Sequence, residues 1–424
     1  MARIDVTGAR NDEIRLPQRR DALLIIASRA ARSFAYGMLA VALSVSLVHD
    51  GIPALAIGIL ITVSLIGDFC GTYVIGLYAD RWGRRRTLVV LALLMAVTGA
   101  IFGLTRVYPV LLVTAFFGTL GATGSETAPF LPIEQTMLSH VTEARERTAL
   151  FARYNLVASF SLAVGALVAG FPTFLTRYGV PYGTGLRLVF GVYAAAALLV
   201  ALLESRLSAR VEEGAARVTA KTLRQRLMPP LGASRGVVLR LAGLFSVDAL
   251  AGGLTVQSLM VLYFHLRFGV PLDVLGALFF GANTLSALSF LAAAPLARRI
   301  GLLNTMVFTH LPSNVLLALV PFMPVFPLAG GVLLARQALS QMDVPTRQAY
   351  TMALVAPEER TAAASVTSLS RSAGSALTPV LSGAMLSGPL LVFGLPFIFA
   401  GAIKAAYDLA LWRIFRRVKL NEQV

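Results

Sequence analysis

Long apolar stretches separated by short polar segments form the main pattern of this chain. Each stretch is at least about 18 residues long, which is enough for an α-helix to cross the hydrocarbon of a bilayer. The apolar runs are continuous, whereas strands of a membrane barrel alternate apolar and polar residues. The pattern therefore predicts twelve transmembrane helices, at about residues 21–48, 54–79, 87–105, 108–139, 149–175, 185–204, 238–265, 272–297, 303–325, 328–353, 361–386 and 389–413.

The composition supports a membrane protein over a soluble one. Hydrophobic residues make up 57% of the chain and charged residues 14%, and the mean hydropathy is +0.75. Soluble domains carry about 25% charged residues, so a soluble enzyme is excluded. The net charge of +16 lies in short clusters between the apolar runs, as in cytoplasmic loops, which argues against nucleic-acid binding.

The basic clusters predict an orientation. They fall on the side of the membrane that carries both chain ends, so the positive-inside rule places both termini in the cytoplasm. Only three of the basic residues are lysines, a bias typical of GC-rich bacterial genomes, and we predict a multi-pass protein of the bacterial cytoplasmic (inner) membrane. The predicted order is a cytoplasmic segment 1–20, a six-helix bundle 21–205, a basic cytoplasmic linker 206–236, a second six-helix bundle 237–413 and a cytoplasmic tail 414–424.

An internal repeat relates the two predicted bundles. A shift of 213 residues brings PIEQ at 132–135 onto PTRQ at 345–348, and ERTA at 146–149 onto ERTA at 359–362. These matches lie at corresponding positions of the two bundles, so the chain is an internal duplication.

The loop between the second and third spans reads GLYADRWGRRRTL, at 76–88. It resembles motif A of the major facilitator superfamily, G-x-L-A-D-R-x-G-R-[KR]-x-x-L, with Tyr78 in place of the leucine. A degenerate second copy at 295–304 carries Arg298 in place of the aspartate. The resemblance implies an all-α fold of twelve helices in two pseudo-symmetric six-helix bundles. It also implies a secondary transporter that works by rocker-switch alternating access.

The same resemblance implies a role for the loop. In the family, motif A is a cytoplasmic latch that stabilises the outward-facing state, a role that transfers here to Gly76, Asp80, Arg81, Gly83 and Arg84. The alternative is that the arginines only keep the loop in the cytoplasm. That alternative explains the arginines, but it does not explain the aspartate or the glycines.

Ionisable residues inside the spans are the candidate functional groups, because they are rare and costly in a bilayer. At 1.5 Å per residue, six of them are expected about 15–20 Å from the cytoplasmic ends of their spans, in one central layer. We predict that the carboxylates couple proton movement and that the arginines face a substrate cavity. The six are Arg32, Asp68, Glu126, Asp248, Asp343 and Arg371.

Several pairings are open at this stage. Arg32 and Asp68 are able to pair across adjacent helices, or to act on protons and substrate. Asp343 and Arg347, four residues apart, are expected to pair on one helix face. Arg371 is free to meet Asp343 or an anionic substrate. Polar residues expected at the cavity, or bridging helices, are Tyr36, Asn155, Gln257 and Asn283, and residues expected to form cytoplasmic gate pairs are Glu134, Arg153 and Arg347.

The sequence favours a transporter over an enzyme, since no nucleophile–base pair or nucleotide-binding loop is found in it. A single cysteine and four scattered histidines predict no metal site, and we expect no cofactor. Motif A resembles that of bacterial drug/proton antiporters, although Gly165 and Gly170 keep only a fragment of the antiporter signature of span five. The leading hypothesis is proton-coupled export of small organic or drug-like molecules by a monomer in the lipid bilayer.

Two other functions are kept as alternatives. One is uptake or export of an organic anion clamped by Arg32 and Arg371. The other is a non-transporting membrane sensor, for which the 206–236 linker is too short to hold a signalling domain.

Overall fold

The computed structural model describes residues 6–123, 129–140, 147–212, 232 and 234–418, and its regular elements there are helices. In chain order these are α1 (Val6–His49), α2 (Ala54–Trp82), α3 (Arg84–Leu104), α4 (Tyr108–Phe117), α5 (Phe130–His140), α6 (Arg147–Val168), α7 (Phe171–Leu175), α8 (Tyr182–Ser205), α9 (Arg235–Leu254), α10 (Gln257–Phe268), α11 (Leu272–Ile300), α12 (Leu302–Leu319), α13 (Phe326–Ser340), α14 (Asp343–Leu354), α15 (Arg360–Ala376), α16 (Pro379–Met385) and α17 (Leu395–Phe415). Short 3₁₀ turns join some of them.

Nine helical segments of the described chain are long and apolar enough to cross a membrane. The other three predicted spans, 108–139, 328–353 and 361–386, are each divided into two shorter helices: α4 and α5, α13 and α14, and α15 and α16. The all-helical membrane fold is therefore confirmed, and the number twelve stays a prediction. Most of the predicted linker lies outside the described residues.

Glycines shape the interruption of the fourth span, where α4 ends. Gly118 packs on the side chain of Thr98, and Gly121, at a φ of +62°, packs on the ring of Tyr36. The Tyr193 hydroxyl donates a hydrogen bond to the carbonyl of Thr119. A side chain at either glycine would collide with its neighbour, so this irregular backbone needs glycine and is held by protein contacts away from lipid.

Each half of the chain forms its own helix bundle. In the first half α1 packs against α6 and α8, and in the second α9 packs against α15 while α12 packs against α17. The halves meet where α2 contacts α16 and where α6 contacts α11. Gly58 lies on Gly383, Gly276 lies on the backbone of Ala166, and the Thr62 hydroxyl accepts a 2.9 Å hydrogen bond from the Val380 amide.

These contacts lie at the end of the bundle remote from the chain termini. Gly58 follows the start of α2 by one turn, and α2 begins just after α1 has crossed the bundle. Gly276 is similarly close to the start of α11. Small residues allow the two backbones to approach closely, so the halves are closed together at this end.

Candidate functional site

A buried group of charges joins four helices of the first half, and we call it the N-half cluster (Ser28, Arg29, Arg32, Glu134, Tyr154 and Glu204). Arg32 on α1 is 0% exposed and donates two hydrogen bonds of 2.7 Å to the carboxylate of Glu134 on α5. The Tyr154 hydroxyl donates to the same carboxylate at 2.5 Å and accepts from Arg29 at 3.0 Å. This bidentate arrangement fixes Arg32 and Glu134 together.

The N-half cluster also includes the end of α8. The Ser28 hydroxyl donates a 2.8 Å hydrogen bond to Glu204, the penultimate residue of α8, and Arg32 comes within 3.8 Å of that carboxylate. The expected position of Arg32 in a central layer stays a prediction, since Arg32 is the fourteenth of the 31 residues of the span Arg19–His49. Of the two alternatives for Arg32 and Asp68, the pair across adjacent helices is not formed, because Glu134, far away in sequence, binds the guanidinium.

Asp68 occupies the middle of α2. It is 6% exposed, its Oδ1 has no hydrogen-bond partner, and no cation of the described chain lies within ion-pair distance. Its neighbours in α2 pack against the interrupted fourth span, with Gly67 on the backbone of Phe116 and Gly71 close to Pro129. Asp68 is thus a buried carboxylate beside the α4 interruption, without a compensating charge in the described residues.

A second group of charges lies in the other half, and we call it the C-half cluster (Asp248, His310, Asn314, Arg336, Asp343, Arg347, Arg371, Lys404 and Asp408). At its centre is Asp248, the fourteenth residue of α9 and 2% exposed. Lys404 Nζ contacts Asp248 Oδ1 at 2.6 Å, and Arg371 Nη1 contacts Oδ2 at 2.7 Å. In the sequence Asp248 stands between Val247 and Ala249, and its partners come from other helices.

Histidine extends this cluster. His310 Nδ1 is 2.9 Å from Asp408, and its Nε2 is 4.0 Å from Asp248. The Asn314 amide donates a 2.9 Å hydrogen bond to the other oxygen of Asp408. The predicted site residues do not include Lys404, His310, Asn314 or Asp408, although a polar residue inside an otherwise apolar predicted span is a signal for such a site.

The expected pair of Asp343 and Arg347 is present. Arg347 donates a 2.8 Å hydrogen bond to Asp343 and lies 3.6 Å from Asp248. Arg336 is also near: the charges of Asp343 and Asp248 act on it, but within the described chain no carboxylate reaches ion-pair distance. Its Nη1 donates to the side chain of Gln337 at 2.8 Å.

The predicted cavity residues differ in their burial. Tyr36 is fully buried against the α4 interruption, and Gln257 is buried at the start of α10. Asn155 is exposed on α6, and Asn283 is half-buried on α11 with no partner for its Nδ2. Glu126 lies outside the described residues.

Of the predicted gate residues, Glu134 and Arg153 do not pair with each other. Arg153 is exposed on α6, whereas Glu134 is buried with Arg32. The neighbouring Tyr154, and not Arg153, faces Glu134, because adjacent residues of a helix point in different directions. Arg347, the third predicted gate residue, belongs to the C-half cluster.

The loop of residues 76–88 makes a sharp turn at Gly83, whose φ is +92°. The carboxylate of Glu212 accepts 2.9 Å hydrogen bonds from the backbone amides of Arg84 and Arg85, at the start of α3. Arg84 is buried, while Gly76 and Arg81 are exposed. The side chain of Asp80 lies outside the described residues, so its predicted role stays a prediction.

Residues 25–339 match the family model described as Major Facilitator Superfamily. The chain belongs to this superfamily. It is also 28% identical to the uncharacterized membrane protein YJR124C of Saccharomyces cerevisiae, over 96% of each chain.

Solved structures of similar fold are transporters. A nucleoside transporter NupG mutant has a TM-score of 0.77 at 12% identity, covering 93% of this chain and all of its own. A bacterial homologue of the human lysosomal transporter Spinster, in an inward-facing conformation, has a TM-score of 0.74 at 14% identity, covering 95% of this chain and 98% of its own. At these identities the likeness shows the fold alone. Together with the family match, it makes this superfamily member a transporter and not an enzyme.

Proposed function

We propose that this superfamily member is a proton-coupled secondary transporter that exports a small organic molecule across the cytoplasmic membrane by alternating access. Both termini face the cytoplasm in this proposal, in line with the basic loops. The closed contact of Gly58 with Gly383 then lies at the outer surface, so the structure corresponds to a state closed to the outside.

The isolation of Asp68 carries the proposal of proton coupling. An ionised carboxylate is costly in apolar surroundings without a nearby cation, so a proton binds there when the site is closed. Water that enters when the halves separate lowers this cost and allows the proton to leave. Because α2 also carries Gly58 and Thr62 at the contact between the halves, rocking motion and the surroundings of Asp68 change together.

The other described carboxylates that were predicted to couple proton movement form ion pairs. Asp248 contacts Lys404 and Arg371, and Asp343 contacts Arg347. Cations at these distances favour the ionised carboxylate, so a proton has to displace a partner. We therefore assign proton binding to Asp68 and to the predicted carrier Glu126, and exchange of ion-pair partners to Asp248 and Asp343.

The motif A loop retains its proposed latch function. Glu212 holds the two amides at the start of α3, which fixes the turn at Gly83 against the segment that follows α8. In the proposed cycle the latch residues Asp80 and Arg81 engage when the cytoplasmic side closes.

Everted membrane vesicles with a respiration-driven, acid-inside gradient and a pH-quenched dye test this function. Addition of a transported compound from a panel of lipophilic cations, neutral drugs and organic anions is expected to restore fluorescence. Asp68→Asn should abolish the recovery. Asp50→Asn is the matched control, because Asp50 pairs with the exposed Arg106 at the far end of α1 and should leave it intact.

Two results would contradict the proposal. Recovery that persists in Asp68→Asn would remove Asp68 from the proton path. Transport of a panel compound, measured directly, without any change in dye fluorescence would show that the transporter is not coupled to protons.

A further inference from the structure

We propose that the substrate carries an anionic group, a carboxylate or a phosphate, and that Arg371 and Arg336 of the C-half cluster bind it. This inference rests on the proposed transport function and adds the class of substrate and its contact residues. The predicted clamp paired Arg371 with Arg32, but Arg32 is fully buried and bonded through two nitrogens to Glu134, so it is not offered to a substrate.

The charges of the C-half cluster do not balance within the described residues. Leaving His310 out of the count, the cluster has one more cation than carboxylates. The cations are Arg336, Arg347, Arg371 and Lys404, and the carboxylates are Asp248, Asp343 and Asp408. The N-half cluster, in contrast, holds two arginines and two glutamates. An uncompensated charge is costly inside a membrane, and a bound anion removes that cost.

Arg371 is accessible to a substrate. Its side chain is 31% exposed, compared with 2% for Asp248 and 9% for Lys404. One guanidinium nitrogen, Nη1, contacts Asp248 at 2.7 Å. A guanidinium has five N–H donors arranged as a planar fork, which suits a carboxylate or a phosphate, so donors remain for an incoming anion.

Arg336 provides the second positive charge. Within the described chain, the Nε of Arg336 is buried without a hydrogen-bond partner. Its Nη1 donates a hydrogen bond to the neutral amide oxygen of Gln337. No carboxylate of the described chain lies within ion-pair distance of Arg336. This charge is therefore less compensated than that of Arg347, which holds Asp343 at 2.8 Å.

Asp248 competes with the substrate for Arg371. When an anion takes the guanidinium, Lys404 and Arg347 remain with Asp248, at 2.6 and 3.6 Å in the structure. When Asp248 loses Arg371, its carboxylate is therefore still paired with a cation. The exchange costs less free energy than breaking an isolated buried ion pair. Substrate binding would thereby loosen the link that Arg371 makes between α9 and α15.

The test uses the purified full-length protein and matched pairs of probes: benzoate with benzamide, succinate with succinamide, and phenyl phosphate with benzyl alcohol. Ligand-induced shifts in melting temperature give relative affinities, and radiolabelled probes give uptake into proteoliposomes. At least one anion is expected to bind better than its uncharged partner. Arg371→Gln should weaken that binding about tenfold or more, and Arg336→Gln should weaken it less.

Two further variants separate binding from folding. Arg371→Lys keeps the charge without the fork, so it should bind the anion better than Arg371→Gln while melting at a similar temperature. Arg177→Gln is the matched control, because Arg177 lies remote from the cluster, over the ring of Phe174, and should not alter the affinity.

Each outcome bears on the anion site. The proposed site is overturned if none of the anionic probes binds, or if the uncharged probes bind equally well. It is also overturned if the Arg371→Gln variant binds the anion as well as the unchanged protein. Anion uptake without proton movement would leave the site standing and overturn proton coupling. Proton movement driven only by uncharged or cationic compounds would overturn the site and leave the proposed coupling intact.

Discussion

The two halves contain the same ion pair with its signs reversed. In the first half a cation on the first helix, Arg32, meets a carboxylate in the fourth span, Glu134. In the second half a carboxylate on the first helix, Asp248, meets a cation at the repeat-equivalent position, Arg347. The first pair is bidentate at 2.7 Å, whereas the second is separated by 3.6 Å. The duplicated fold therefore preserves the contact between these helices but not its chemistry.

Competing partners explain the difference in distance. Arg347 is held by Asp343 at 2.8 Å, and Asp248 is shared with Lys404 and Arg371. Among the described residues, Glu204 comes within 3.8 Å of Arg32, farther than the 2.7 Å contacts with Glu134. The first pair is suited to holding its helices together. The second is suited to exchange of partners, which a transport cycle requires.

The largest expected effect comes from breaking the bidentate pair. Glu134→Gln leaves Arg32 charged at 0% exposure, and such a loss typically costs about 3–5 kcal/mol of unfolding free energy. We expect a melting temperature several degrees lower in detergent, measured by intrinsic fluorescence. The double variant Arg32→Gln/Glu134→Gln removes both charges and should recover much of the loss. A double variant no more stable than the single one would show that charge imbalance is not the cause.

A smaller effect is expected from the equivalent change in the second half. Lys404→Gln removes one of several cations from Asp248, and Arg371 remains at 2.7 Å. The expected cost is about 1–2 kcal/mol, because the carboxylate stays paired. The same melting assay measures this loss of stability, with Glu134→Gln measured in parallel. An equal loss in both variants would mean that the C-half cluster is as rigid as the N-half cluster, and partner exchange would be ruled out.

The sequence was sufficient for the fold because the signals are local. Span length, continuous apolar character and motif A depend on neighbouring residues, and these predicted the helices and the superfamily. The pair of Asp343 and Arg347 was predictable for the same reason, being one helical turn apart.

The site was less predictable because its contacts are made between helices. Asp248 lies 156 residues from Lys404, and Arg32 lies 102 residues from Glu134. Helix rotation decides whether a side chain meets a partner or faces outward, as the exposed Arg153 and the buried Tyr154 illustrate. The number of residues along a span does not give that rotation, nor the reach of a long arginine side chain.

The smallest loss of stability is expected at the starts of α3 and α9, where the two halves again differ. Glu212 accepts hydrogen bonds from the Arg84 and Arg85 amides at the start of α3, while Glu359 accepts hydrogen bonds from the Gly232 and Ser234 amides before α9. Glu212→Gln keeps the shape but removes the charge that favours a helix N-terminus, at a cost of about 0.3–1 kcal/mol. Amide hydrogen exchange at Arg84 and Arg85 should become faster, with the Ser234 amide as an internal control. Unchanged exchange at α3 would mean that the turn at Gly83 holds the motif A loop without Glu212.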